Sequence, residues 1–296
     1  MEEEEAKSGT AVQIKEAEVS QDNKTFWTNF DGFSYNDFGR TETLSHWQLP
    51  KLLEAARYFA LMKGLADFPS IINQIYGIFV YGVVYHIDTA FWRIPRNKNF
   101  PFKIAQSVDD IGKTSITLSG KLINKLDNKE LVTFNSKTVY VERASGRPVS
   151  LPDWVAPKWS PSVTKKQFLQ FSPQPSEVPE GAFQYNVTVA ASDTDVNKHT
   201  NQGSYVRFCC DAAQAAVLAQ QLTGFKVDIA RYPLKILEVV YVGQSNTGYK
   251  LNVWLWQENN HINLLRFVIR HEDGNNRPTI CYGFMEYGLM PLSSRL

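Results

Sequence analysis

The apolar residues of this chain recur with period two over long stretches and with helical period over two others. Leu49, Leu52, Leu53, Ala56, Phe59 and Ala60 fall three and four residues apart, which predicts a helix within 44–63 with one buried face. Pro50 is tolerated only near its first turn, and Gly64 is placed to close it in a left-handed cap. Strand-like runs follow at 77–92, 102–108, 113–125 and 131–143, with Asp127-Asn128-Lys129 as a hairpin turn. The same succession then returns. Residues 183–191 alternate as a strand, and 202–222 read as an Ala-rich helix closed by Gly224. Four more strands are predicted at 229–242, 249–257, 261–271 and 277–287. Each half is thus a strand, a helix and four strands, an α+β pattern most economically explained by internal duplication. A helix face of Ala212, Ala213, Ala216 and Ala219 suits close wrapping by a curved sheet.

Between the halves, residues 151–182 hold six of the fourteen prolines, which breaks regular structure there; 163–171 could still form a short helix. Trp154, Trp159, Phe168 and Phe171 predict that this linker packs across the domains. At the other end, residues 1–25 carry seven acidic residues, three lysines and no aromatic residue, a composition that predicts a disordered tail. Residues 26–35 read as a strand start or a wrapped segment. The expected division is a tail at 1–25, a first domain at 26–152, a linker at 153–180 and a second domain at 181–296.

Composition changes this picture only by exclusion. The chain is 43% hydrophobic and 21% charged with a formal charge of +1, so it should bury a sizeable core and offers no electrostatic footprint for nucleic acid or an anionic membrane. Cys209, Cys210 and Cys281 make an odd count, two of them adjacent, which argues against a disulfide framework and for a reducing compartment. The start Met1-Glu2-Glu3-Glu4-Glu5 is acidic where a targeting peptide would be basic, and no stretch is long and apolar enough to span a membrane. A cytoplasmic location is expected.

Candidate chemistry gathers just before the second helix. Asp195, Asn197 and His199 stand at alternate positions, followed by Gly203, Ser204, Tyr205 and Asp211. Carboxylate, carboxamide and imidazole so spaced suit the holding of a water beside a polarised carbonyl. Asp195 and Asn201 serve equally well as a turn residue and a helix N-cap, and Asp211 as a satisfied polar residue. Cys209 and Cys210 read as core, since no neighbour in sequence would depress a thiol pKa. His46, His86, His261 and His271 lack metal-ligand spacing. Neither metal nor cofactor is expected.

The Asp195-x-Asn197-x-His199 element, with Tyr205 and Asp211 downstream, resembles the acyl-carrier-protein thioesterases and their acyl-CoA relatives of the hotdog fold. Further likenesses are Phe38-Gly39-Arg40-Thr41, the run from Thr138 through Gly146-Arg147-Pro148 to Leu151-Pro152, and Ile236 to Tyr241 followed by Gly248 to Val253. The resemblance implies a tandem (double) hotdog, each half a long central helix wrapped by a curved antiparallel sheet, with sheet pairing that admits a homodimer. It implies hydrolysis of a fatty-acyl thioester of acyl-CoA or acyl-carrier protein, with Asp195, Asn197 and His199 on the catalytic positions. Backbone N–H groups near Gly203 and Ser204 would hold the carbonyl oxygen, with Tyr205, Asp211 and Ser245 lining the substrate. One departure stands out: the family places a Glu-Cys pair beyond the second strand, where this chain has Gln244-Ser245. A glutamine can position a water but cannot take its proton. The alternatives are a non-catalytic protein that binds acyl lipids or acyl thioesters, and, disfavoured by the Asp and His spacing, a hotdog hydratase or dehydratase.

Overall fold

Alternation along the strands decides which face of the sheet is buried. From Phe102 to Ile111, for example, Phe102, Ile104, Gln106 and Val108 point into the core while their neighbours are partly exposed. The computed structural model describes residues 14–20, 25–96, 100–159, 169–272 and 278–292. In chain order the elements are β1 (Ile14–Val19), β2 (Thr25–Phe30), α1 (Gln48–Met62), α2 (Phe68–Ile71), β3 (Tyr76–Ile87), β4 (Phe102–Ile111), β5 (Ser115–Asn124), β6 (Glu130–Glu142), α3 (Val155–Trp159), β7 (Phe183–Thr188), α4 (Gln202–Leu218), β8 (Leu234–Tyr241), β9 (Lys250–Glu258), β10 (His261–His271) and β11 (Thr279–Tyr287).

All the strands join one large antiparallel sheet in the order β1-β2-β4-β5-β6-β3-β8-β11-β10-β9-β7. The order carries the duplication. Leaving aside β1, which adds to the edge beside β2, each half begins on the outside with the strand preceding the long helix (β2, β7), continues through its next three strands in chain order after the one that follows the helix (β4-β5-β6, β9-β10-β11), and ends innermost on the strand that follows the helix (β3, β8). The halves meet where β3 pairs β8 in antiparallel register, with Gly82 opposite Val240 and Tyr85 opposite Leu237. On one side of this sheet α1 packs on α4, and Leu53 and Ala56 join Ala212, Ala213, Ala216, Val83, Leu237 and Val239 in one core. A second core under the end of α1 takes in Ala60, Leu61, Leu65, Phe68, Val155 and Trp159.

On the outer side of the seam, Phe171 from the proline-rich stretch lies over Gly82, where a Cβ would meet its ring at 2.7 Å. Ser172 N–H donates to the buried Glu238 at 3.0 Å, and Trp159 Nε1–H donates to Asp67 at 2.8 Å. Phe171 thus packs with residues of both halves, whereas Trp159 packs into the core of the first half alone. Trp154, by contrast, is exposed, and Phe168 lies outside the described residues, as does most of the helix expected at 163–171.

Several boundaries differ from the expectations. Ile14–Val19 is a strand, paired with β2, inside the stretch expected to be unstructured; residues 1–13 lie outside the described ones. A backbone ladder at a sheet edge needs no apolar face, so an acidic composition does not exclude it. The strand expected at 229–242 starts at Leu234, because Ile229–Arg231 forms a single 3-10 turn capped by Asp228 and Pro233 follows. The strand expected at 77–92 likewise ends at Ile87, where Asp88 caps the turn Thr89–Arg93. Helix α4 stops at Leu218, short of Gly224, because Gln220 adopts the left-handed conformation at φ 60°. Gly64 does close α1 region as expected, at φ 108°.

Two buried positions at the helix starts make tests of the packing. A Cβ on Gly203, at the start of α4, would overlap the Lys51 side chain and lie 3.0 Å from the Trp47 carbonyl oxygen of α1's N-cap. Alanine in a helix is worth about 1 kcal/mol over glycine, whereas overpacking costs about 1–3 kcal/mol. Gly203→Ala should therefore lower the urea midpoint, and a raised midpoint would show that the helices are not in this contact. His46 is 3% exposed, edge-on to Trp92 at 4.7 Å. Burial lowers its pKa to about 4, against the opposing pull of its hydrogen bond to the Tyr232 backbone. The imidazole is then neutral in the fold but charged in the unfolded chain below about 6.5. Its contribution, on the order of 3 kcal/mol, is complete above that pH and is lost as the pH falls toward 4. The melting temperature of wild type should decline over this window more steeply than that of His46→Gln; parallel curves would contradict a buried neutral His46.

Candidate active site

The loop that enters each long helix is built twice from the same backbone hydrogen bonds. In the first copy Gly39 N–H donates to Thr43 O at 2.8 Å, Glu42 N–H to Gly39 O at 3.0 Å and Ser45 N–H to Asp37 O at 2.9 Å. In the second, Asp195 N–H donates to His199 O at 2.9 Å, Lys198 N–H to Asp195 O at 2.9 Å and Asn201 N–H to Asp193 O at 2.8 Å. Glu42 and Lys198 both sit at φ 64°, and the bridges Phe38–Leu44 and Thr194–Thr200 correspond. Asp37 and Asp193 each accept from a backbone N–H three residues earlier. One scaffold thus presents different chemistry: Asp195, Asn197 and His199 occupy the positions of Gly39, Thr41 and Thr43. The candidate trio exists in the second copy alone.

The turn brings Asp195 and His199 together as neighbours across its base and leaves Asn197 at its exposed tip. Asp195 and His199 are half-buried. One oxygen of Asp195 is committed, since Oδ1 accepts from Asn197 N–H at 2.8 Å, which is the turn role weighed from the sequence. Beneath the turn lies a buried knot. Thr200 N–H donates to Ser245 O at 2.8 Å, and the Ser245 hydroxyl lies 2.7 Å from Thr200 Oγ1 and 2.9 Å from Tyr205 Oη. Ser245 and Tyr205, expected to line substrate, are here the pins that hold the loop to the end of β8.

The remaining expectations divide. Gly203 N–H donates to Asn201 Oδ1 at 2.8 Å, and Ser204 and Tyr205 N–H donate to Asn201 O. Asn201 is therefore the N-cap, and the Gly203 and Ser204 N–H groups, expected to hold a carbonyl, are bonded to it in this structure, while Gly203 also serves the close approach of α4 to α1. Asp211 pairs with Arg207 at 3.2 Å, and Arg207 also pairs with the buried Asp193, which makes Asp211 part of a partly buried ion network. Its carboxyl is held above the usual range by partial burial, against the pull of Arg207. Gln244 is exposed, whereas Asn246, two residues on, bridges His199 and keeps a buried Oδ1 with no hydrogen-bond partner among the described residues. Cys209, Cys210 and Cys281 are free, buried thiols pushed up by desolvation. Among the described residues no cluster of His, Cys, Asp or Glu could hold a metal.

Sequence reasoning missed a group that reaches the loop from the other half. Glu54 Oε2 of α1 accepts from Asn201 Nδ2 at 2.7 Å, and Arg57, 4% exposed, donates to Gln202 Oε1 at 3.2 Å. Burial raises the Glu54 carboxyl above its ordinary range; Arg57 and the Asn201 bond oppose this, and the Asp195 charge adds to it. The buried hydroxyls of Tyr85 on β3 and Tyr241 on β8 have no hydrogen-bond partner among the described residues and lie within electrostatic reach of Glu54 and Arg57. Each unmade buried hydrogen bond costs roughly 1–3 kcal/mol, so a polar group from a ligand would be stabilised there. The available signal was Arg57, a charge inside the otherwise apolar stripe of α1. An open cleft of about 410 Å³ lined by His86, Glu130, Leu131 and Lys235 shares no residue with this region.

No protein-family model matches the chain, and no curated protein matches it. Solved structures do. An acyl-ACP thioesterase from Bacteroides thetaiotaomicron is similar with a TM-score of 0.70 at 14% identity, over 91% of this chain and 100% of its own. A 12:0-ACP thioesterase from Umbellularia californica follows with a TM-score of 0.66 at 11% identity, over 89% and 97%. The chain shares the fold of the acyl-ACP thioesterases over about nine-tenths of its length.

Proposed function

We propose that this chain is a tandem hotdog thioesterase, hydrolysing fatty-acyl thioesters of CoA or acyl-carrier protein to free fatty acid and thiol. The proposed domains are 26–152 and 181–296, each a central helix wrapped by its part of the sheet. The observation that carries the reading is the loop 193–201: a scaffold used twice, bearing Asp195, Asn197 and His199 in one copy only. In this reading Asn197 and Asp195 orient a water, and His199 or a carboxylate of the site takes its proton. The water oxygen bonds to the carbonyl carbon, the C–S bond breaks, and the proton passes to the departing thiolate. Gln244, a carboxamide on the solvent side, is left at most to orient water.

A second reading, non-catalytic binding of an acyl thioester, draws support from Gln244, which brings no base to the position where the resembling enzymes carry Glu. A thiol-release assay over acyl chain lengths, run with both acyl-CoA and acyl-carrier protein, separates the two. Hydrolysis is expected, with Asp195→Ala, Asn197→Ala and His199→Ala each lowering turnover on the order of 10²-fold and combining far from additively. Since the three side chains are not buried in the core, melting temperature should barely move. Gln244→Ala should lose less than His199→Ala. No release from any acyl thioester would favour the binding protein, and full activity in His199→Ala would remove that residue from the mechanism.

A further inference from the structure

Counted from their shared entry loop, the two long helices keep one register of burial. Leu49, Leu52, Leu53, Ala56 and Ala60 of α1 correspond to Tyr205, Phe208, Cys209, Ala212 and Ala216 of α4, and all ten are buried. Within that register Glu54 and Arg57 correspond to Cys210 and Ala213, which are plain core. The copies are therefore complementary: the second carries the candidate loop on an apolar helix, and the first carries a carboxylate and a guanidinium on its helix with a loop that lacks the trio.

These two sets meet at one place. Glu54 Oε2 is held by Asn201, the residue that ends the reactive loop and caps α4. Its other oxygen, Oε1, makes no hydrogen bond among the described residues, and Arg57 forms no ion pair with it but turns to Gln202. The groups facing the carboxylate are Lys51 and Arg57 on its own helix, Asp195 and Asn201 on the loop, Tyr85 on β3 and Tyr241 on β8. The geometry points to Glu54 as the general base of the hydrolysis, the carboxylate that Gln244 does not provide, contributed by the first half to a site whose loop belongs to the second. Through Oε1 it takes the proton of the water as that oxygen bonds to the thioester carbon. The proton leaves with the thiolate when the C–S bond breaks, and the carboxylate is restored. Burial fits the role, since it lifts the carboxyl toward the working pH of a base. The inference rests on the thioesterase reading above.

The test uses the full chain and thiol release from acyl-CoA and acyl-carrier-protein substrates. Glu54→Gln keeps an oxygen for Asn201, so its melting temperature should match wild type while kcat falls on the order of 10²-fold. Glu54→Asp should retain part of the activity. In wild type kcat/KM should fall as the pH is lowered through a carboxyl titrating above the ordinary 4.5 of glutamate, and Glu54→Gln should lack that limb. An active wild type with near-normal kcat in Glu54→Gln overturns Glu54 and leaves the thioesterase reading intact. Should Glu54→Gln fail to fold, the wild-type profile decides, and activity flat down to pH 4.5 overturns the role. Wild type inactive on every acyl thioester sinks the thioesterase reading and Glu54 with it.

Discussion

Everything in this structure depends on the pairing of β3 with β8. Each half taken alone would end its sheet at one of these strands, with a row of unpaired N–H and C=O groups on display. It would also leave one flank of its long helix uncovered. Joining the two edges satisfies both ladders at once and brings α1 against α4 on the same side, where Gly203 permits a close approach to Trp47 and Lys51. The outer side of the seam is covered in turn by Phe171, which fits only because position 82 has no side chain.

Joining duplicated halves across that seam generates two equivalent places where the entry loop of one half faces the helix of the other. The two copies of the loop use their polar residues differently. In the first copy Arg40 forms a two-pronged pair with Asp228, at 2.6 and 2.8 Å, and Thr43 Oγ1 donates to Ala230 O. Its polar residues fasten one half to the other. The second copy keeps its exposed turn and meets Glu54 instead.

Period-two and period-3.6 patterning made the strands and both long helices legible, because burial on one face is a local property of the sequence. The repeated strand-helix-strand pattern was legible for the same reason, and the sheet order agrees with it. What stayed hidden was what the pattern does not encode. Ile14–Val19 is placed by its backbone ladder to β2. Gly203 looked like a donor of backbone N–H groups, yet its use is set by Lys51 and Trp47, about 150 residues away in sequence. The Asp-x-Asn-x-His spacing located the exposed turn, but not Glu54 or Tyr85, whose relation to it exists only after β3 and β8 have paired. Gln244 was aligned by sequence to a catalytic position, whereas the fold brings Asn246 across from His199.

The central claim is that two copies of one scaffold make a single composite site. Calorimetric titration of the full chain with a non-hydrolysable thioether analogue of a long-chain acyl-CoA counts those sites directly. One equivalent bound per chain is the result this account predicts; two equivalents per chain, one for each loop, would contradict it.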